Sequence, residues 1–172
     1  MRVDLRAGEA GTAHITDSSD SGPNALIVVD LATGSARRRL HEPPSTKAEP
    51  LSRFRPVVEG RPFLERSRDG STQPVWMGAD GTAISADGER LFYRPLASRR
   101  WCSVSTAALR DPSLDDEAVA ATVVDEGTGS DRLETDDGGR VHLASCEHDA
   151  VLRSKPHAPF HTPVDAVPVR LR

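Results

Sequence analysis

Asp80 and Asp131 occupy matching places in two copies of a repeated unit, each about ten residues ahead of that unit's second apolar strand. Carboxylates paired in this way can hold a hard cation through oxygen. They can also divide acid and base work if their surroundings push their pKa values apart. Both acids suit turns as well, Asp80-Gly81 above all, and Arg132 alters the second position. The residues leave the two roles open. Glu147-His148-Asp149 forms a second cluster, with an imidazole able to titrate near neutral pH between two acids. The same triplet also reads as a polar hairpin loop.

Other reactive residues form no pattern. His14, His142, His157 and His161 lack metal-ligand spacing, and Cys102 and Cys146 are too far apart for a zinc site or a disulfide framework. The two cysteines read as unpaired thiols in strands. No GxSxG, GxGxxG or P-loop occurs, which argues against a serine hydrolase and a nucleotide enzyme. No residue is singled out as catalytic.

The elements that must position these groups are short strands. Ala25 to Leu31 is an apolar, β-branched run that ends at Ala32-Thr33-Gly34. Leu91–Arg94 pairs with Trp101–Ser105, and Val141–Ala144 with Ala150–Arg153. Pro43 and Pro44 keep residues 41–50 as loop. Only Asp115 to Val124 has helix signals, with acids in its first turn. Trp76, Phe92 and Trp101 are expected to pack between sheets, and Arg37-Arg38-Arg39 to form a solvated strand edge.

Residues Ile84 to Leu91 align with Glu134 to Val141 at an offset of 50, each copy carrying an Asp-Gly pair suited to a tight hairpin. A partial earlier copy runs from Gly11 to Asp17 and on into Ala25–Leu31. Multi-stranded repeats of roughly 40–50 residues mark propeller blades. The fold class is therefore all-β, a partial β-propeller of about three antiparallel blades. Inner strands line a propeller's channel, so Asp80 and Asp131 would face each other across its mouth.

These segments carry a resemblance to a known family. Ala13 to Ser18 with Ala25 to Leu31, Gly81 to Gly88 with Leu91 to Ser98, Val104 to Arg110, and Glu147 to Ala150 follow one another as in yellow/major royal jelly proteins. The resemblance implies a six-bladed parent, secretion, and a small aromatic or amine-like ligand in the central channel. Bacterial members are described as related to dopachrome tautomerase. Asp80, Asp131, Glu147, His148 and Asp149 are the ligand-binding candidates, although the family usually has asparagine at the place of Asp149. Asp80 and Asp131 are also candidates for a divalent cation such as calcium, the arrangement of a gluconolactonase-type lactonase, which is the rival function.

The resemblance runs from Met1 to Pro156, so residues 1–156 are assigned to the propeller and 157–172 to an irregular tail. As about half of a parent, the chain would have the missing blades as its partner, or self-associate through exposed blade faces. An inactive truncated product is the third reading. Met1–Leu5 is not a signal peptide, so extracellular localisation rests on the resemblance alone.

Composition excludes some partners. A net charge of −4, with arginines scattered and Lys47 and Lys155 the only lysines, gives no nucleic-acid footprint. No apolar run approaches the roughly 18 residues of a membrane helix.

Overall fold

A computed structural model describes residues 1–19, 22–128, 132–145 and 147–154, and the backbone of 165–168. Three four-stranded antiparallel sheets follow one another along the chain, each in simple up-and-down order. The first blade holds β1 (Arg2–Asp4), β2 (Thr12–Asp17), β3 (Ala25–Asp30) and β4 (Ala36–Arg39). Two small hairpins come next, β5 (Val57–Val58) with β6 (Arg61–Pro62), and β7 (Leu64–Arg66) with β8 (Thr72–Pro74). The second blade is β9 (Ala79–Ile84), β10 (Arg90–Pro95), β11 (Arg100–Ser105) and β12 (Val124–Thr128), with α1 (Thr106–Arg110) and α2 (Asp116–Ala120) before its last strand. The third is β13 (Leu133–Thr135), β14 (Val141–Ser145), β15 (Ala150–Ser154) and β16 (Asp165–Pro168).

Turn chemistry closes these blades. In the β9–β10 hairpin Ser85 N–H donates to Arg90 O, Gly88 N–H donates to Ser85 O, and Gly88 takes φ 80°. The β13–β14 hairpin repeats this with Asp136, Arg140 and Gly139, whose φ is 73°. Its turn is one residue shorter, so the left-handed position falls on Gly139 rather than on Gly138 of the Asp-Gly pair. Ile84 pairs with Leu91 and Thr135 with Val141, so the repeat offset is 51 before the turn (135 − 84) and 50 after it (141 − 91).

Blade packing explains the burial pattern of β10, which is buried from Leu91 to Pro95. Successive strand residues point to opposite faces. Leu91 and Tyr93 therefore join Cys102, Val104 and Ala79 against Leu26, Val28 and Leu40 of the first blade. Phe92 turns the other way and joins Trp101 and Ala83 against Leu133, Val141 and Leu143 of the third. Its ring meets that of Trp101 at 5.5 Å between centroids, tilted by 52°. A strand covered on both sides reads as a continuous apolar run instead of an alternating one.

Four expectations need correction. Trp76 is 54% exposed and packs between no sheets, unlike Phe92 and Trp101. Arg39 is buried, and its guanidinium donates to the carbonyls of Leu109, Asp111 and Leu114, where the end of α1 needs donors. Only Arg37 and Arg38 form an exposed edge. α1 falls outside the one helix the sequence predicts; Ser105 ends β11 and at once caps the helix, accepting from Ala108 N–H. Finally, Asp165–Pro168 lies within the segment assigned to an irregular tail, yet it pairs with β15 through Leu152 and Ala166. Ladder pairing needs only backbone, so the Pro-rich composition around it concealed this strand.

Candidate functional site

The inner strands β1, β9 and β13 meet where the three blades converge. Arg2, at the start of β1, joins them: Nε donates to Thr82 O at 2.8 Å, Nη2 to Leu133 O at 3.0 Å, and Nη2 pairs with Glu134 Oε2 at 2.7 Å. One guanidinium thus bridges the first blade to the backbone of the second and third. Beside it opens a cleft of about 310 Å³, lined by Arg2, Asp80, Gly81, Thr82, Arg132 and Leu133 together with Met1.

Asp80 is held there by its backbone more than by its side chain. Gly78 lies so close to the loop before β3 and to the segment after β4 that a Cβ would come within 2.2 Å of the Asn24 side chain and 2.5 Å of Thr46 O. Only glycine allows that approach. Ala79 N–H then donates to Thr46 O, and Asp80 O accepts from Thr16 Oγ1 at 2.8 Å. The half-buried Asp80 carboxylate has one hydrogen-bond partner among the described residues, Ser18 Oγ at 3.4 Å, and no ion pair. Ser18 gives its shorter bond, 2.6 Å, to Ala79 O. Two residues further along the strand, Thr82 Oγ1 is buried without a hydrogen-bond partner among the described residues.

The other candidate acids divide differently. Asp131 lies outside the described residues; the 51-residue offset makes it the sequence counterpart of Asp80. Glu147 is tied by both oxygens to Arg99, at 2.9 and 3.1 Å, and Arg99 in turn lies 4.9 Å above the centre of the Phe54 ring. His148 Nδ1 shares a 2.8 Å hydrogen bond with Ser145 Oγ. Asp149 is exposed and takes φ 48°, a left-handed position where aspartate and asparagine are the favoured non-glycine residues. None of these three lines the Asp80 cleft.

Arg2 and Thr82 escaped the sequence reading. Each belongs to an inner strand, but only the convergence of strands 80 residues apart brings them together. No group of three or more His, Cys, Asp or Glu side chains converges among the described residues. The described cleft lining offers one carboxylate beside two arginines, short of the roughly six to eight oxygens that Ca²⁺ takes.

Two further groups are chemically distinctive but inert. Burial pushes the Cys102 thiol up to about 12, which keeps it a buried thiol and not a nucleophile. Cys146 lies outside the described residues. Burial likewise lowers His14 to about 4, with Arg110 adding to the shift and Asp4 opposing it.

The family model described as Major royal jelly protein matches residues 1–167. That match passes Pro156 and takes in most of β16. No curated protein matches the sequence.

Proposed function

Because the chain belongs to the major royal jelly protein family, we propose that it binds a small aromatic amine at the channel mouth beside Asp80, outside the cell. The supporting observation is the unpaired carboxylate. Arg2, which lines the same cleft, spends its donors on Thr82 O, Leu133 O and Glu134, and Asp80 has no ion pair among the described residues. A half-buried carboxylate of this kind is matched best by a cation that also supplies hydrogen-bond donors. An alkylammonium does both. Extracellular placement follows the habit of the family.

Calorimetry with tyramine as the probe tests this reading. The protein is expected to bind it, and Asp80→Asn to weaken binding by about tenfold or more, the scale of one charge-assisted hydrogen bond. Equal affinity in both proteins would overturn the assignment. Ca²⁺ binding that disappears in Asp80→Asn, with tyramine silent, would favour a lactonase-type metal site instead.

A further inference from the structure

A second cleft, of about 620 Å³, opens between the loop that precedes β3, the segment after β4, and the residues just before β9. It shares no lining residue with the Asp80 cleft. Its size falls within the usual range for small-molecule sites, roughly 300–1,000 Å³. Pro23, Pro44, Ala48 and Pro50 give it apolar walls, and Trp76 lies along it, 54% exposed. That indole is held in place: Nε1–H donates to Glu49 O at 3.2 Å, which fixes one edge and leaves the ring uncovered.

Three cations reach this cleft, and two are committed. Lys47 pairs with Glu42 at 3.4 Å and Arg100 with Asp125 at 2.6 Å. The Glu49 carboxylate is also occupied, accepting from Ser98 Oγ at 2.7 Å and Arg99 N–H at 3.2 Å. The Arg53 guanidinium has no partner among the described residues. The backbone beneath it is anchored, since Arg53 N–H donates to Pro50 O at 2.7 Å. An aromatic platform and an uncommitted guanidinium thus line one apolar cleft.

We propose that this cleft is a second binding site, off the propeller axis, for a small aromatic carboxylate. The ring stacks on Trp76, and the carboxylate takes the paired N–H donors of Arg53, whose planar fork matches two oxygens. The site selects the charge opposite to the one selected at Asp80. It stands independently of the channel reading, because no residue is common to both.

Calorimetry with 4-hydroxyphenylacetate, its neutral amide and tyramine separates the possibilities. The acid is expected to bind about tenfold more tightly than the amide, and Arg53→Gln to erase that difference. Trp76→Leu is expected to weaken acid and amide alike, by severalfold. Asp80→Asn, which alters the other cleft, is expected to leave the acid's affinity unchanged. Both Arg53 and Trp76 are exposed, and an unchanged thermal transition in each variant confirms that folding is intact. An acid that fails to bind, an acid–amide difference that survives Arg53→Gln, or a loss of acid binding in Asp80→Asn would each overturn the proposal.

Discussion

His14 is 1% exposed, and neither ring nitrogen has a hydrogen-bond partner among the described residues. Burial holds its pKa near 4, below the ordinary value of 6.5. The unfolded chain therefore binds the proton more readily, and stability falls as pH drops through the window from 6.5 towards 4. Between pH 7 and pH 5 this one residue is expected to cost about 2 kcal/mol. Urea unfolding at the two pH values should show the loss, and His14→Leu should flatten it, since an apolar side chain leaves nothing to protonate. An unchanged pH slope in His14→Leu would place the sensitivity elsewhere. Arg39 supplies the opposite case, a buried charge whose guanidinium donates to carbonyls at the end of α1 and in the stretch that follows it. Arg39→Leu leaves those acceptors without their donors and is expected to destabilise by about 2–4 kcal/mol in the same assay. Arg39→Lys should recover little, because one ammonium cannot reproduce the fork.

At the scale of elements, the two equivalent hairpins allow a controlled comparison. Gly88 and Gly139 share the left-handed backbone, but a Cβ on Gly88 would come within 2.9 Å of Arg6 and Asp4, whereas Gly139 has nothing within 4 Å. Gly139→Ala is expected to cost only the backbone strain, about 1–2 kcal/mol. Gly88→Ala adds a steric clash with the Asp4–Arg6 ion pair and should cost clearly more, read as a lower melting temperature. Equal losses would show that the clash is relieved at no cost. These hairpins were legible in the sequence because strand periodicity and Asp-Gly chemistry are local. The α2 helix was legible for the same reason: Asp115 caps it, accepting from Ala118 N–H, and acids follow in its first turn. α1 was not, because its five residues continue directly from a strand and it is completed by Arg39, 70 residues away. The hairpins β5–β6 and β7–β8 were missed for a related reason. Their strands are two or three residues long, too short to establish a period.

Across the whole molecule, blades are joined by apolar seams inside and by ion pairs at the loops. The seam between the second and third blades rests on Trp101 against Phe92, Leu133 and Leu143. Trp101→Ala should cost about 3–5 kcal/mol, and Arg99→Ala, which breaks the more exposed pair to Glu147, should cost much less. Repeat alignment alone led to Asp80, because equivalent positions in blades recur at a fixed offset. That Arg2 and Arg132 reach the same cleft could not be found that way, since only the convergence of the blades brings them beside Asp80. The channel-mouth reading is tested most directly by mapping backbone amide shifts by NMR as tyramine is added. The largest changes should fall at Gly81, Thr82 and Leu133, around the Asp80 carboxylate, and should vanish in Asp80→Asn. Largest changes at the Glu147–Asp149 turn or along the Trp76 cleft, with Gly81 and Thr82 unmoved, would contradict it.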